Sequence, residues 1–211
     1  MAVSRRNSAL QFYLTGRRAQ DLHGLTDLAG NLLDSFDIAV VRAKAGLVRR
    51  AAPAASRNVR QEYNVRAGTL RDAFRVEEGV RGRRGDRDEV LSIWASTRQI
   101  PLMEFSGRWR GRRSAGATAE IVRGQRKTYD SAFIATVQGR RAIRVRSFDS
   151  ASGRRHGRGP LRMLRGPSPF EMLSGIGGVQ ASMDARERTV SELTTWYAGE
   201  LRRQFRLHRS K

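Results

Sequence analysis

The side chains of this chain best suited to chemistry are arginines in two glycine-rich segments, and the chemistry they suit is anion binding. The first segment covers residues 106–118 and the second residues 150–159. The arginines concerned are Arg108, Arg110, Arg112, Arg113, Arg154, Arg155 and Arg158. A guanidinium offers a planar fork of N–H donors that matches phosphate and carboxylate oxygens. We therefore expect two basic loops that contact DNA phosphates or an acidic protein.

Trp109 lies between two of these arginines, and the arrangement has two interpretations. Aromatic side chains interleaved with arginine are frequent on surfaces that bind nucleic acid. The same arrangement can bury one Trp at a protein interface while the arginines pair with acidic neighbours. The chain has no series of aromatic residues at base spacing, so recognition of bases by stacking is not expected. Both partner classes remain open.

Residues that could carry catalysis are sparse. His23, His156 and His208 are far apart, and the chain has no cysteine. One cluster of acids, formed by Asp86, Asp88 and Glu89, lies among arginines that can neutralise it. Glycine motifs typical of phosphate loops and dinucleotide sites are absent. We expect a protein that is not an enzyme and uses neither a cofactor nor a metal ion.

The net charge of the chain points to acidic or polyanionic partners. Its 211 residues include 41 basic and 20 acidic ones, which gives a formal charge of +21. All the basic residues except Lys44, Lys127 and Lys211 are arginine. Part of the preference for arginine over lysine is what a GC-rich genome would produce, but the net charge is not explained in this way. A single chain of this charge repels itself, so we expect DNA or acidic proteins to neutralise it.

The hydropathy pattern excludes two further classes of protein. No apolar run approaches the roughly 18 residues that a membrane span needs. The N-terminal residues lack the apolar core of a secretion signal. We expect a protein with no membrane partner that is made and used in a cytoplasm.

Residues 18–75 are predicted to form the helical part of a single α+β domain that covers residues 1–211. Apolar residues recur every three or four positions over residues 25–47, which is the spacing of one helical face. Pro53 is predicted to end this long helix. The segment 56–75 is predicted to form two short helices, capped by Ser56 and Thr69.

The helical hairpin has two interpretations, which assign it different functions. In the favoured one, Val59, Tyr63, Leu70 and Phe74 pack into a core. In the alternative, the hairpin is a helix-turn-helix whose second helix presents Arg71 and Arg75 to a DNA groove. The spacing is loose, so the core interpretation is preferred.

Residues 89–148 are predicted to form one small antiparallel sheet of three or four strands with basic loops. Val90, Ser92 and Trp94 begin an alternating pattern, and residues 101–105 continue as an extended segment. Further strands are predicted at residues 119–123, 132–137 and 142–148. Gln138-Gly139 is a typical two-residue hairpin turn between the last two.

A proline- and glycine-rich connector at residues 160–175 leads to a C-terminal amphipathic helix at residues 183–208. The helical stripe consists of Val190, Leu193, Tyr197, Leu201 and Phe205. The connector contains one short helical turn. Together these elements predict an α+β fold with helices and strands in separate parts of the chain.

Three segments between residues 100 and 173 read IPLMEFSGR, VRGQRKTYDSAFIATVQGRRAIRVRSF and PLRMLRGPSPFEML. They resemble the minor tail protein Z family, the tail completion proteins of lambda-like long-tailed phages and prophages. The matching features include Phe133 and Ile134 after basic residues, and Gly166 and Pro167 ahead of a helix. The segment YNVRAGTLRDAF is similar to the part of the family that precedes its sheet. One departure is that arginines interrupt the second hairpin strand.

The resemblance implies a non-enzymatic virion protein that completes the tail at its head-proximal end, near the neck. It implies a homo-oligomeric ring, expected to be a hexamer, that meets tail-tube, terminator or neck proteins. It further implies assembly in the host cytoplasm and structural roles for Phe133, Ile134, Gly166 and Pro167. The basic surface would contact the genome end, as sequence-independent binding to double-stranded DNA, or acidic neighbours. The alternative is a free DNA-binding protein, either sequence-independent or of the helix-turn-helix type.

Overall fold

The computed structural model of this chain describes residues 8–14, 28–81, 88–110, 116–146, 160–175 and 179–209. The helices are α1 (Leu28–Glu62), α2 (Ala67–Leu70), α3 (Pro169–Ser174) and α4 (Gln180–Arg209). The strands are β1 (Ser8–Leu14), β2 (Phe74–Arg81), β3 (Asp88–Ala95), β4 (Arg108–Trp109), β5 (Ala117–Glu120), β6 (Arg126–Tyr129), β7 (Ala132–Val137), β8 (Arg140–Arg146) and β9 (Leu161–Met163). A 3-10 turn covers Leu102–Glu104.

The described strands form three small antiparallel sheets rather than the single sheet predicted. Their strand orders are β1-β3-β2, β4-β5-β6 and β7-β8-β9. The mixed helix and strand composition, the antiparallel pairing and the C-terminal helix agree with the α+β prediction. The predicted number of sheets was wrong because strands β1, β2, β4, β6 and β9 were not predicted. Each of these strands is held by pairing with a neighbour, and β4, β6 and β9 are too short to show a clear pattern of their own. Apolar residues do alternate in β2, at Phe74, Val76 and Val80, but the helical hairpin predicted for residues 56–75 covers its start.

The helices α1 and α4 pack side by side in opposite directions. The ring of Phe36 near the start of α1 lies 6.2 Å from the ring of Phe205 near the end of α4. Asn58, further along α1, donates to Glu192 Oε2 at 3.0 Å. Much of the buried face of α1 is alanine, namely Ala39, Ala43, Ala51, Ala54 and Ala55. Small side chains at these positions let the second helix approach closely.

Pro53 does not end the first helix, contrary to the sequence prediction. The helix α1 runs without interruption from Leu28 to Glu62, and Pro53 lies inside it. The proline is exposed, so the carbonyl that loses its helical hydrogen bond can be solvated. Ala51, Ala54 and Ala55 beside it are buried. Packing of this face therefore overrides the local preference for a break.

At residues 56–75 the two predicted helices were wrong, but the predicted burial of four apolar side chains was confirmed. Its first helix is the last part of α1, and its second is only the four residues of α2. Arg75 lies in β2, opposite Trp94 of β3. No recognition helix can present Arg71 and Arg75 together, so the helix-turn-helix alternative is excluded at this segment. Val59, Tyr63, Leu70 and Phe74 are all buried, as predicted.

The hairpin of β7 and β8 was predicted most closely. The strand β7 has the predicted bounds, and β8 begins two residues earlier than predicted and is described to Arg146. Gln138 and Gly139 both have positive φ angles, of 52° and 72°. Two such residues in a row form the turn whose twist matches a tight antiparallel hairpin. The predicted extended segment at residues 101–105 was wrong, since it contains the 3-10 turn.

The connector at residues 160–175 pairs with the segment around the 3-10 turn. Ile100 accepts a hydrogen bond from the Gly166 amide at 2.8 Å, and Leu102 donates to the Leu164 carbonyl at 3.0 Å. Ser168 then caps α3, because its hydroxyl accepts from the Glu171 amide while Glu171 Oε2 accepts from the Ser168 amide. This reciprocal capping box explains why α3 begins at Pro169, directly after Ser168.

Candidate anion-binding surface

The first predicted basic loop is described only at its two ends. Arg108 and Trp109 form β4, which pairs with Thr118 and Ala117 of β5. Arg108, Trp109 and Arg110 are exposed, with 53% of the Trp109 surface accessible. An indole this exposed does not belong to the core of the chain, so both interpretations of Trp109 that involve a partner remain open. Arg112 and Arg113 lie outside the described residues.

Gly116 determines where this loop returns to the sheet. Its φ angle is +101°, and a Cβ at this position would lie 2.5 Å from the Tyr129 carbonyl oxygen. Only glycine satisfies both conditions without a shift in the backbone. The ends of the loop are therefore held together at the Arg110 amide, which donates to the Gly116 carbonyl at 3.5 Å.

The second predicted loop, with Arg154, Arg155 and Arg158, lies outside the described residues, as do Asp86, His23 and His156. Asp88 and Glu89 belong to β3, but only their backbone is described. Within the described ranges, no cluster of three His, Asp or Glu side chains is placed to hold a metal ion. None of the helices in those ranges has the length and apolar character of a membrane span.

Phe133 lies in β7, the strand predicted at residues 132–137, but the structural role expected for it is not that of a fully buried ring. Phe133 and its neighbour Ile134 are only half-buried, whereas Ala132 and Ile143 are buried. The Arg146 guanidinium lies 5.7 Å from the centre of the Phe133 ring. The side chain of Arg146, one of the arginines that interrupt β8, therefore covers part of the Phe133 ring.

Gly166 and Pro167 lie where the connector meets the 3-10 turn. A Cβ at position 166 would lie 2.6 Å from Cε2 of Phe105, which is fully buried. The Pro167 carbonyl accepts from the Ile100 amide at 3.4 Å. Both residues thus shape the backbone that joins two of the three segments on which the family resemblance rests.

A third group of arginines, which sequence patterns did not single out, lines a cleft between α1 and α4. The cleft has a volume of about 530 Å³. Its lining residues are Arg42, Ala45, Gly46, Arg49, Arg50, Trp196, Glu200, Arg203 and Gln204. Four guanidinium groups face one carboxylate, so the cleft carries a local excess of positive charge. These residues were missed because they come from two helices about 150 positions apart in the chain.

Trp196 forms one wall of this cleft, and Gly46 makes room for it. A Cβ at position 46 would lie 2.5 Å from Cη2 of the indole. The Arg50 guanidinium lies over the ring at 4.7 Å from its centre, a distance typical of a cation–π contact. The indole therefore holds one of the four arginines in place.

The other arginines of the cleft are also held by contacts. Arg42 Nη1 donates to His208 Nε2 at 2.7 Å, and Arg49 Nε donates to the Ala45 carbonyl at 3.2 Å. Arg203 Nε donates to Glu200 at 2.9 Å. Hydrogen bonds from Arg203 and then Gln204 lower the pKa of Glu200 to about 2. Glu200 is thus ionised at neutral pH and neutralises only one of the four positive charges.

Comparison of this chain with protein-family models, with curated proteins and with solved structures finds no match.

Proposed function

We propose that this chain is a non-catalytic structural protein of a phage virion, acting in tail completion at the head-proximal end of the tail. The observation that carries the proposal is the packing of the segments that resemble the tail protein family. Ile100 and Leu102 from the first segment exchange backbone hydrogen bonds with the third segment, more than 60 residues later. The Phe105 ring lies against Gly166. The resembling residues thus form one structural unit rather than scattered similarities.

The proposal includes assembly into a homo-oligomeric ring, expected to be a hexamer. In support, the apolar stripe of α4 is only partly covered within one chain, since Met183 and Val190 are exposed. Subunit contacts in a ring would bury such residues. The charge of +21 per chain then requires DNA in the channel, or acidic tail-tube, terminator or neck proteins, to offset repulsion between copies.

The test is deletion of the gene from the strain that encodes it, with particles examined by electron microscopy. We expect filled heads and unattached tails, with normal particles restored by the wild-type gene supplied in trans. Antibody labelling should mark the tail end that meets the head. Deletion that leaves the yield of joined particles unchanged would exclude the proposed role.

A free, sequence-independent DNA-binding protein is the second candidate, supported by exposed Arg108 and Arg110 beside exposed Trp109. The location of the protein distinguishes the two candidates, because a free DNA-binding protein would be found with intracellular DNA and not in purified particles.

A further inference from the structure

We propose that the cleft between α1 and α4 is a docking site for an acidic, amphipathic segment of another protein. The inference goes beyond the tail assignment and does not depend on it. It rests on residues other than those of the two predicted basic loops. The occupant would present Asp or Glu side chains to the arginines and apolar side chains to the rim of the cleft.

The arginines of the cleft are positioned before any ligand arrives. Contacts with His208, the Ala45 carbonyl and the Trp196 ring hold Arg42, Arg49 and Arg50 respectively. Each of these contacts uses only part of the donor capacity of a guanidinium, which has five N–H groups. A carboxylate can therefore bind with little further ordering of side chains, which favours affinity.

Three exposed apolar side chains lie one helical turn from residues of the cleft, and they favour a peptide over a nucleic-acid backbone as occupant. Ile38 and Val41 are exposed by 43% and 66%, and each lies one helical turn before a cleft residue, Arg42 or Ala45. Leu207, also exposed, lies one turn after Arg203. A phosphodiester backbone gains nothing from such neighbours, whereas apolar side chains of a peptide would bury them.

Charge complementarity excludes a second copy of this chain as the preferred occupant. Each copy carries +21, and the cleft itself has an excess of arginine. An acidic segment is attracted to the cleft rather than repelled, and this attraction also raises its rate of association.

The test measures binding of fluorescent synthetic peptides to the full chain by anisotropy. The probe is a helix of about five turns with Leu on one face and Glu on the other. Matched peptides replace every Glu with Gln, or every Leu with Ser, and a short DNA duplex is measured in parallel. The cleft variant is Arg42→Gln with Arg49→Gln. Its control is Arg140→Gln with Arg162→Gln, two exposed arginines on β8 and β9.

We expect the Glu/Leu peptide to bind the wild type, and the cleft variant to bind it about tenfold more weakly, as loss of close charge pairs predicts. The control variant should change the affinity much less, and Val41→Ser should weaken binding several-fold. The proposal is overturned if the wild type fails to bind this peptide or binds the Gln peptide equally well. It is also overturned if both double variants lose the same affinity, which indicates general charge attraction. A cleft variant that loses only DNA affinity would identify a nucleic-acid site instead.

Discussion

Phe105 packs its ring against Gly166 and is fully buried, whereas Phe133 is half-buried under an arginine. The two phenylalanines therefore allow a matched comparison. We expect Phe105→Ala to lower the free energy of unfolding by about 3–5 kcal/mol, because it removes a fully buried ring and leaves a cavity. Phe133→Ala should cost less than half as much. Urea denaturation followed by circular dichroism measures both, and equal losses would contradict the difference in burial.

Glu200 links the stability of the α1/α4 cleft to pH. Its pKa falls from 4.5 to about 2 in the folded chain, first because of the bond from Arg203. A carboxylate whose pKa is lowered by folding stabilises the fold above its unfolded pKa, and this contribution is lost as the pH falls towards the folded value. We expect the stability advantage of the wild type over Glu200→Gln to shrink between about pH 5 and about pH 2.

The measurement for Glu200 is the urea midpoint of both proteins across this range. Glu187→Gln, on the exposed side of the same helix, controls for the loss of one negative charge. An advantage that stays constant down to the lowest pH would show that Glu200 does not act through its ionised form.

At the scale of elements, the continuity of α1 through Pro53 has a measurable consequence. A proline inside a helix removes one backbone hydrogen bond, and alanine is up to about 3 kcal/mol more favourable in such a position. Because Pro53 is exposed, Pro53→Ala changes little packing. We expect this substitution to raise the free energy of unfolding by up to about 3 kcal/mol.

Pro160→Ala is the control for Pro53, since Pro160 is exposed and lies outside the helices. It should change stability only slightly. If Pro53→Ala instead destabilises the protein, the proline fits a bend in α1 that alanine does not preserve.

At the scale of the whole molecule, the charge of +21 predicts binding to DNA that depends on salt rather than on sequence. The logarithm of the binding constant should fall linearly with the logarithm of salt concentration, by about 0.9 per phosphate neutralised. Arg108→Gln with Arg110→Gln should reduce this slope by up to about 2 if both contact phosphates. Titration of labelled duplexes of unrelated sequence at several salt concentrations checks this. A preference for one sequence that persists at high salt would favour a regulatory protein.

Short-range patterns in the sequence were sufficient for the elements that depend on neighbouring residues. The alternation of β7, the turn at Gln138-Gly139 and the helical periodicity of α4 are local, so each could be predicted from its own segment. The burial of Val59, Tyr63, Leu70 and Phe74 was likewise predicted from apolar spacing. Local preference failed at Pro53, where contacts with α4 keep the helix intact.

Tertiary structure decided the division into three sheets and the position of the α1/α4 cleft. Strands β1 and β2 pair on the two sides of β3, and the alternation of their apolar residues does not by itself show which strand they pair with. The cleft combines Arg42, Arg49 and Arg50 with Trp196 and Arg203, which only the packing of two distant helices brings together. Hydropathy and charge determine what a segment can form and attract. Which charges share one site depends on long-range packing, because the free energy of that packing comes from contacts that no single segment contains.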